Sequence, residues 1–117
     1  MGCSEMKLSI IIPVYNMQAY LERCLDSVVA ALDGLKYTAE VLIINDGSTD
    51  RSAQIIAEYC EKYSYMHQYD KKNGGLSDVK NYGLERATGE YVIFLDSDDY
   101  VDPEMYKSMM DRLEEEQ

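Results

Sequence analysis

Hydrophobic positions along the chain alternate between two periods. Leu8 to Val14 is an almost unbroken apolar run rich in isoleucine, which predicts a strand buried on both faces. Leu21, Cys24, Leu25, Val28, Val29 and Leu32 then recur at the spacing of one helical face. Asn16 is the expected N-cap of that helix and Gly34 its expected stop. Val41 to Ile44 predicts a second buried strand, and Ile55, Ile56, Tyr59, Cys60 and Tyr63 mark a second helix, with Ser48 or Thr49 as cap. Tyr65 to Tyr69 is mixed in polarity and reads as an edge strand. Leu76, Val79, Lys80, Gly83, Leu84 and Ala87 share one face of a third helix that stops at Gly89. Gly83 weakens that helix, which implies close packing on the sheet. Tyr91 to Leu95 predicts the fourth strand. Asp102 and Pro103 open a last helix as cap and first turn, with a stripe of Tyr106, Met109, Met110 and Leu113. That helix ends in three glutamates; their charge opposes the helix dipole, so the last turn is expected to fray.

Strands buried on both faces that alternate with amphipathic helices predict an α/β fold: an open, mostly parallel sheet with flanking helices, Rossmann-like. No repeat or internal linker interrupts the pattern, so residues 6–117 read as one domain and residues 1–5 as an N-terminal extension. Such sheets bind ligands beyond the carboxyl ends of their strands. Tyr15-Asn16, the segment from Asn45 to Asp50, and the segment from Asp96 to Asp99 all follow predicted strands. A parallel sheet brings all three to one rim.

Charge narrows the classes of partner. The chain has 22 acidic and 11 basic residues, a formal charge of −11. This argues against nucleic acid or an anionic membrane surface. The apolar runs fall well short of the roughly 20 residues of a membrane helix, and the N-terminus lacks the pattern of a secretory signal. Cys3, Cys24 and Cys60 are an odd number, widely spaced. They read as reduced thiols in a cytoplasmic protein.

Asp96, Asp98 and Asp99 put three carboxylates within four residues. They repel one another unless protonated or bound to a cation, and oxygen-only ligands suit Mg²⁺, Mn²⁺ or Ca²⁺. The plainer alternative is an acidic turn capping the next helix. Asp46 is either part of an ordinary turn or a carboxylate that accepts a hydrogen bond from a base or ribose. Asn73-Gly74-Gly75 is either a turn or a place where backbone N–H groups approach a phosphate. His67 is the only histidine, and it reads as structural.

The stretches LSIIIPVYNMQAYLERCLDSV, VLIINDGSTDRS and KNGGLSDVKNYGLERATGEYVIFLDSDDYVDP together resemble the nucleotide-sugar-binding half of family 2 glycosyltransferases with the GT-A fold. The resemblance implies an enzyme that transfers a sugar, with inversion, from a nucleotide-sugar donor (usually a UDP-sugar) to a saccharide or other hydroxyl acceptor. It implies that Pro13, Tyr15 and Asn16 line the nucleoside pocket and that Asp46 contacts the base. Asp96 and Asp98 become the D-x-D motif, with Asp98 on a divalent Mn²⁺ or Mg²⁺ and Asp96 sharing the metal or binding ribose. Gly75 and Lys80 join the nucleotide-binding set. Lys80 stands where relatives usually carry arginine; it keeps the charge but loses the planar fork.

The resemblance places the acceptor half and its catalytic base beyond the D-x-D. The base is therefore expected outside this chain, which alone is expected to be inactive or weakly active. Exposed apolar surface and self-association are expected where that half would sit. The reading allows membrane proximity but finds nothing in these residues that encodes it. The alternative is a non-catalytic nucleotide-binding or scaffold module. A phosphatase-type D-x-D would follow the first strand, whereas this one follows the last.

Overall fold

The computed structural model describes residues 7–116; the expected extension at residues 1–5 lies outside them. Strands β1 (Lys7–Val14), β2 (Thr38–Asp46), β3 (Met66–Lys71) and β4 (Tyr91–Phe94) alternate with helices α1 (Leu21–Leu32), α2 (Ser52–Lys62), α3 (Leu76–Arg86) and α4 (Met105–Glu115). The sheet is parallel throughout, in the order β3-β2-β1-β4. The open α/β architecture is as expected, and β3 is an edge strand as its mixed polarity implies.

The side-chain alternation of the strands builds two cores. Leu8, Ile10, Ile12 and Val14 of β1 pack with α1, α2 and α4. Ile11 faces the other way and packs with Leu42, Ile44 and Val79, under α3. This division follows from strand order. The chain moves outward from β1 to β3 with α1 and α2 on one face, then reverses to reach β4. A right-handed crossover then puts α3 on the opposite face. The reversal makes a switch point between β1 and β4.

Pro13 opens that switch point. The Leu95 N–H donates to the Ile11 carbonyl at 3.0 Å. The next rung of a parallel ladder would need an N–H from residue 13, and proline has none. β4 therefore leaves the sheet before the end of β1.

Gly83 has the close approach its position implied. A Cβ added there would lie 2.7 Å from Cγ2 of the buried Ile11. Gly83→Ala should therefore lose stability despite its better helix propensity, by about 1 kcal/mol net, and Gly83→Val by about 3 kcal/mol. Urea unfolding midpoints check this. A stabilised Gly83→Ala variant would show that α3 and Ile11 are not pressed together.

At the opposite end from the rim, Glu40 closes the sheet. It accepts hydrogen bonds from the Ser9 hydroxyl (2.7 Å), the Thr88 N–H (2.8 Å) and the Thr88 hydroxyl (3.1 Å). Burial pushes its carboxyl pKa up, but these bonds and Lys7 outweigh burial and hold it below the ordinary 4.5. A depressed folded-state pKa stabilises the fold above the unfolded value and ceases to do so as pH falls through the folded one. Wild-type stability should exceed that of Glu40→Gln at pH 7, and the gap should close as pH drops below about 4.5. A gap that widened in acid would contradict the assignment.

Several ends differ from expectation. Asn16 does not cap α1; the helix starts at Leu21 after a turn. Neither Ser48 nor Thr49 caps α2. Arg51 precedes the helix without a side-chain cap bond, and the Asp50 carboxylate meets the first helical N–H, that of Ser52, at 2.9 Å. Helix α3 ends at Arg86, before Gly89, because Gly89 N–H is drawn to the Ser9 hydroxyl at 2.8 Å. Of its predicted face only Val79 and Gly83 are buried, while Leu76 and Leu84 are exposed. Phe94 of β4 is exposed as well. Asp102 caps a turn, accepting from Glu104 N–H at 2.8 Å, and α4 starts later. Its last turn is helical through Glu115, and Glu114 accepts from the Tyr37 hydroxyl (2.8 Å) and the Lys36 ammonium (3.1 Å).

Candidate functional site

A cleft of about 530 Å³ opens at the carboxyl ends of the strands, where open parallel sheets hold ligands. Seven of the candidate site residues read from sequence line it: Pro13, Tyr15, Asp46, Asn73, Gly75, Asp96 and Asp98. Met17, Leu76, Val79 and Ser97 also line it. From sequence, Leu76 and Val79 read only as a helix face and Ser97 as the spacer between two acids, and Met17 carries no reading. Leu76, more than half exposed, now has a place at the cleft wall.

Asn16 and Lys80 are not among the lining residues. Asn16 sits in the left-handed region at φ 51°, which asparagine tolerates. Its Oδ1 accepts from the Thr49 N–H (2.8 Å) and the Asp50 N–H (3.3 Å), and its own N–H donates to the Ser48 hydroxyl (3.0 Å). Asn16 thus pins the loop after β1 to the loop after β2, which frames the cleft without entering it. Lys80 places its ammonium over the Phe94 ring, 5.2 Å from the centroid.

Asp46 ends β2 and is buried. Oδ1 accepts from the Gly74 N–H (3.0 Å) and the Lys71 ammonium (3.1 Å), and Oδ2 accepts from the Gly75 N–H (3.2 Å). A carboxylate has about four lone-pair sites, so one remains for a ligand. Both glycine amides are spent on this bond and are not free to meet a phosphate. Gly47 makes the turn possible: its φ is 73°, and a Cβ there would lie 2.9 Å from the Asn73 nitrogen. Lys71 also pairs with Asp78 at 2.5 Å. Asp78, with Asp46, holds the lysine pKa above its ordinary value. No sequence signal marks Lys71, because its pairing with Asp46 depends on the register of β2 with β3.

After β4 the chain turns at Asp96–Asp99, closed by the Asp99 N–H donating to the Asp96 carbonyl at 3.0 Å. Ser97 is buried, while Asp96, Asp98 and Asp99 face solvent. One carboxylate oxygen from each of the three lies within 4.8 Å of the others. This convergent, oxygen-only donor set fits a hard divalent cation. His67 is exposed on β3, away from the cleft lining.

Cys24 is buried and Cys60 half-buried, and both are free thiols; Cys3 lies outside the described residues. Burial pushes the Cys24 thiol up to about 12, which keeps it unreactive. Among the described residues no helix is long and apolar enough to cross a membrane.

Comparison with known proteins gives this geometry a context. The family model described as Glycosyl transferase family 2 matches residues 9–117. The uncharacterized glycosyltransferase YibD of Escherichia coli (strain K12) is 44% identical over 108 residues, which are 92% of this chain and 30% of YibD. Glycosyltransferase GlyA of Streptococcus pneumoniae serotype 4 is 36% identical over 111 residues, 95% of this chain and 16% of GlyA. The crystal structure of S. aureus TarS 1-349 in complex with UDP-GlcNAc matches with a TM-score of 0.84 at 37% identity, over 94% of this chain and 32% of that one. The chain therefore spans less than a third of the length of either curated relative.

Proposed function

The chain belongs to glycosyl transferase family 2, and from that premise we propose that its cleft binds the nucleotide part of a sugar donor through a divalent cation. The reaction this serves is inverting transfer of the sugar to an acceptor hydroxyl. Carrying the proposal is one juxtaposition: Asp46, Asp96 and Asp98, from two different strand ends, line one cleft at the switch point.

Electrostatics supports the cation. A nucleoside diphosphate brought to this acidic rim meets like charge, and the repulsion grows as water is excluded. Asp98 and Asp96 would hold Mn²⁺ or Mg²⁺. When bound, such an ion neutralises the diphosphate and stabilises charge on the leaving group as a Lewis acid. The exposed ring of Tyr15 and the side of Pro13 offer apolar walls for a base. Asp46 offers its remaining acceptor site to a base or ribose N–H or O–H. The bonds on Asp46 pre-set its orientation, so little is lost in ordering it on binding.

The TarS structure contains UDP-GlcNAc, which favours a UDP-sugar as donor here. On this reading the acceptor, and the base that deprotonates it, belong to parts of the enzyme other than this cleft. The free thiols favour a reducing, cytoplasmic setting.

Calorimetric titration tests the reading. UDP should bind in the presence of Mn²⁺ and much more weakly after chelation. A folded protein that gives no binding heat at about millimolar UDP with Mn²⁺ overturns it.

A further inference from the structure

The turn that carries the acidic triad is held from outside itself. Three mutually repelling carboxylates on an exposed turn tend to spread it. The restraint comes from successive turns of α1. The Cys24 thiol lies 3.8 Å from the Asp96 carbonyl as a weak donor. Arg23 Nη2 donates to the Asp98 carbonyl at 3.1 Å. The Ser27 hydroxyl accepts from the Val101 N–H at 3.0 Å and donates to the Cys24 carbonyl at 2.7 Å. Leu21, Cys24, Leu25 and Val28 anchor this helix in the core. It is a rigid post against which the turn is fastened.

Arg23 differs from the other two contacts. Its guanidinium also lies over the Tyr100 ring, 4.8 Å from the centroid. The planar group thus bonds Asp98 in the middle of the triad and stacks on the residue just after it. We propose that Arg23 is a positioning residue: it fixes the backbone at Asp98 so that the carboxylates of Asp96 and Asp98 stay convergent for a divalent cation. This rests on the reading of the triad as a cation site.

Two effects of Arg23 on cation affinity have opposite signs. Its positive charge repels a cation, while its bond orders the ligands. The charge effect is weak here, because the site is exposed and salt screens it. The ordering effect needs the planar fork, which lysine lacks.

The test is Mn²⁺ binding followed by the loss of the free aqueous Mn²⁺ resonance in electron paramagnetic spectra. UDP titrations with and without Mn²⁺ run alongside. Arg23→Ala should weaken Mn²⁺ binding about tenfold. Its thermal midpoint and its cation-free UDP affinity should match wild type. Arg23→Lys should recover only part of the loss. Tyr100→Leu, which removes the ring and keeps the arginine, should give a smaller loss in the same direction and covers the case in which Arg23→Ala misfolds. A purely structural role would lower the midpoint and UDP binding together. Unchanged or tighter Mn²⁺ binding in Arg23→Ala overturns the inference while leaving the triad reading intact. A wild-type protein that binds no Mn²⁺ defeats the triad reading, and this inference with it.

Discussion

Replacing Asp98 by alanine is expected to abolish most cation-dependent nucleotide binding while leaving the fold untouched. The Asp98 carboxylate is exposed, and the turn around it is held through its carbonyl by Arg23, which alanine retains. Exposed substitutions of this kind usually change stability by less than about 0.5 kcal/mol. Removing one of three crowded negative charges even relieves repulsion within the turn. The cost falls on the ligand instead. Losing a partner that merely supports a metal ligand weakens affinity about 10- to 100-fold, so losing a ligand should cost at least about 100-fold. Calorimetry with UDP and Mn²⁺ measures this. Cation-free UDP binding should be unchanged or slightly stronger. An Asp98→Ala protein with wild-type Mn²⁺-dependent affinity would move the cation elsewhere.

Asp46→Ala should behave in the opposite way, with a large loss of stability and a smaller loss of cation dependence. The carboxylate joins β2 to the loop before α3 through the Gly74 and Gly75 amides and the Lys71 ammonium. Alanine would leave both N–H groups without their acceptor. Each buried donor left unpaired costs about 1–3 kcal/mol. These amides lie in an exposed loop that water reaches, so a total of about 2–3 kcal/mol is expected. That corresponds to a fall in melting temperature of roughly 10 °C for a domain of this size. Asp46→Asn keeps one acceptor and should fall between. Thermal unfolding of the three proteins measures the order. An Asp46→Ala protein with a wild-type melting temperature would show that the 71–75 loop is held by something else.

These two aspartates illustrate what the chain discloses before folding and what it does not. The place of Asp98 at the cleft was legible because the acids follow a buried strand, and a parallel sheet brings such strand ends to one rim. Gly83 was legible for a similar reason: a glycine inside a helical stripe needs a neighbour that excludes a side chain, and Ile11 is that neighbour. The mixed polarity of Tyr65 to Tyr69 correctly marked the sheet edge. Asn16 was less legible. Its capping chemistry is real, but its donors are Thr49 and Asp50, about 33 residues away, and cap preference alone names no donor. Lys71 was not legible at all, since its role follows from strand register. At the last turn of α4 the dipole argument is local and could not see tertiary partners. Tyr37 and Lys36, far off in sequence, hold Glu114.

The placement of the cation beside the nucleotide is tested most directly by paramagnetic broadening in amide NMR spectra. A small fraction of Mn²⁺ is added to the isotope-labelled protein with UDP. Signals of Asp96 to Asp99 should vanish first, followed by those of Tyr15, Asp46 and Gly75, while Thr88 and Gly89 at the far end of the sheet stay sharp. Broadening centred at that far end, or spread evenly over the surface, would contradict a pyrophosphate-binding ion at the mouth of this cleft.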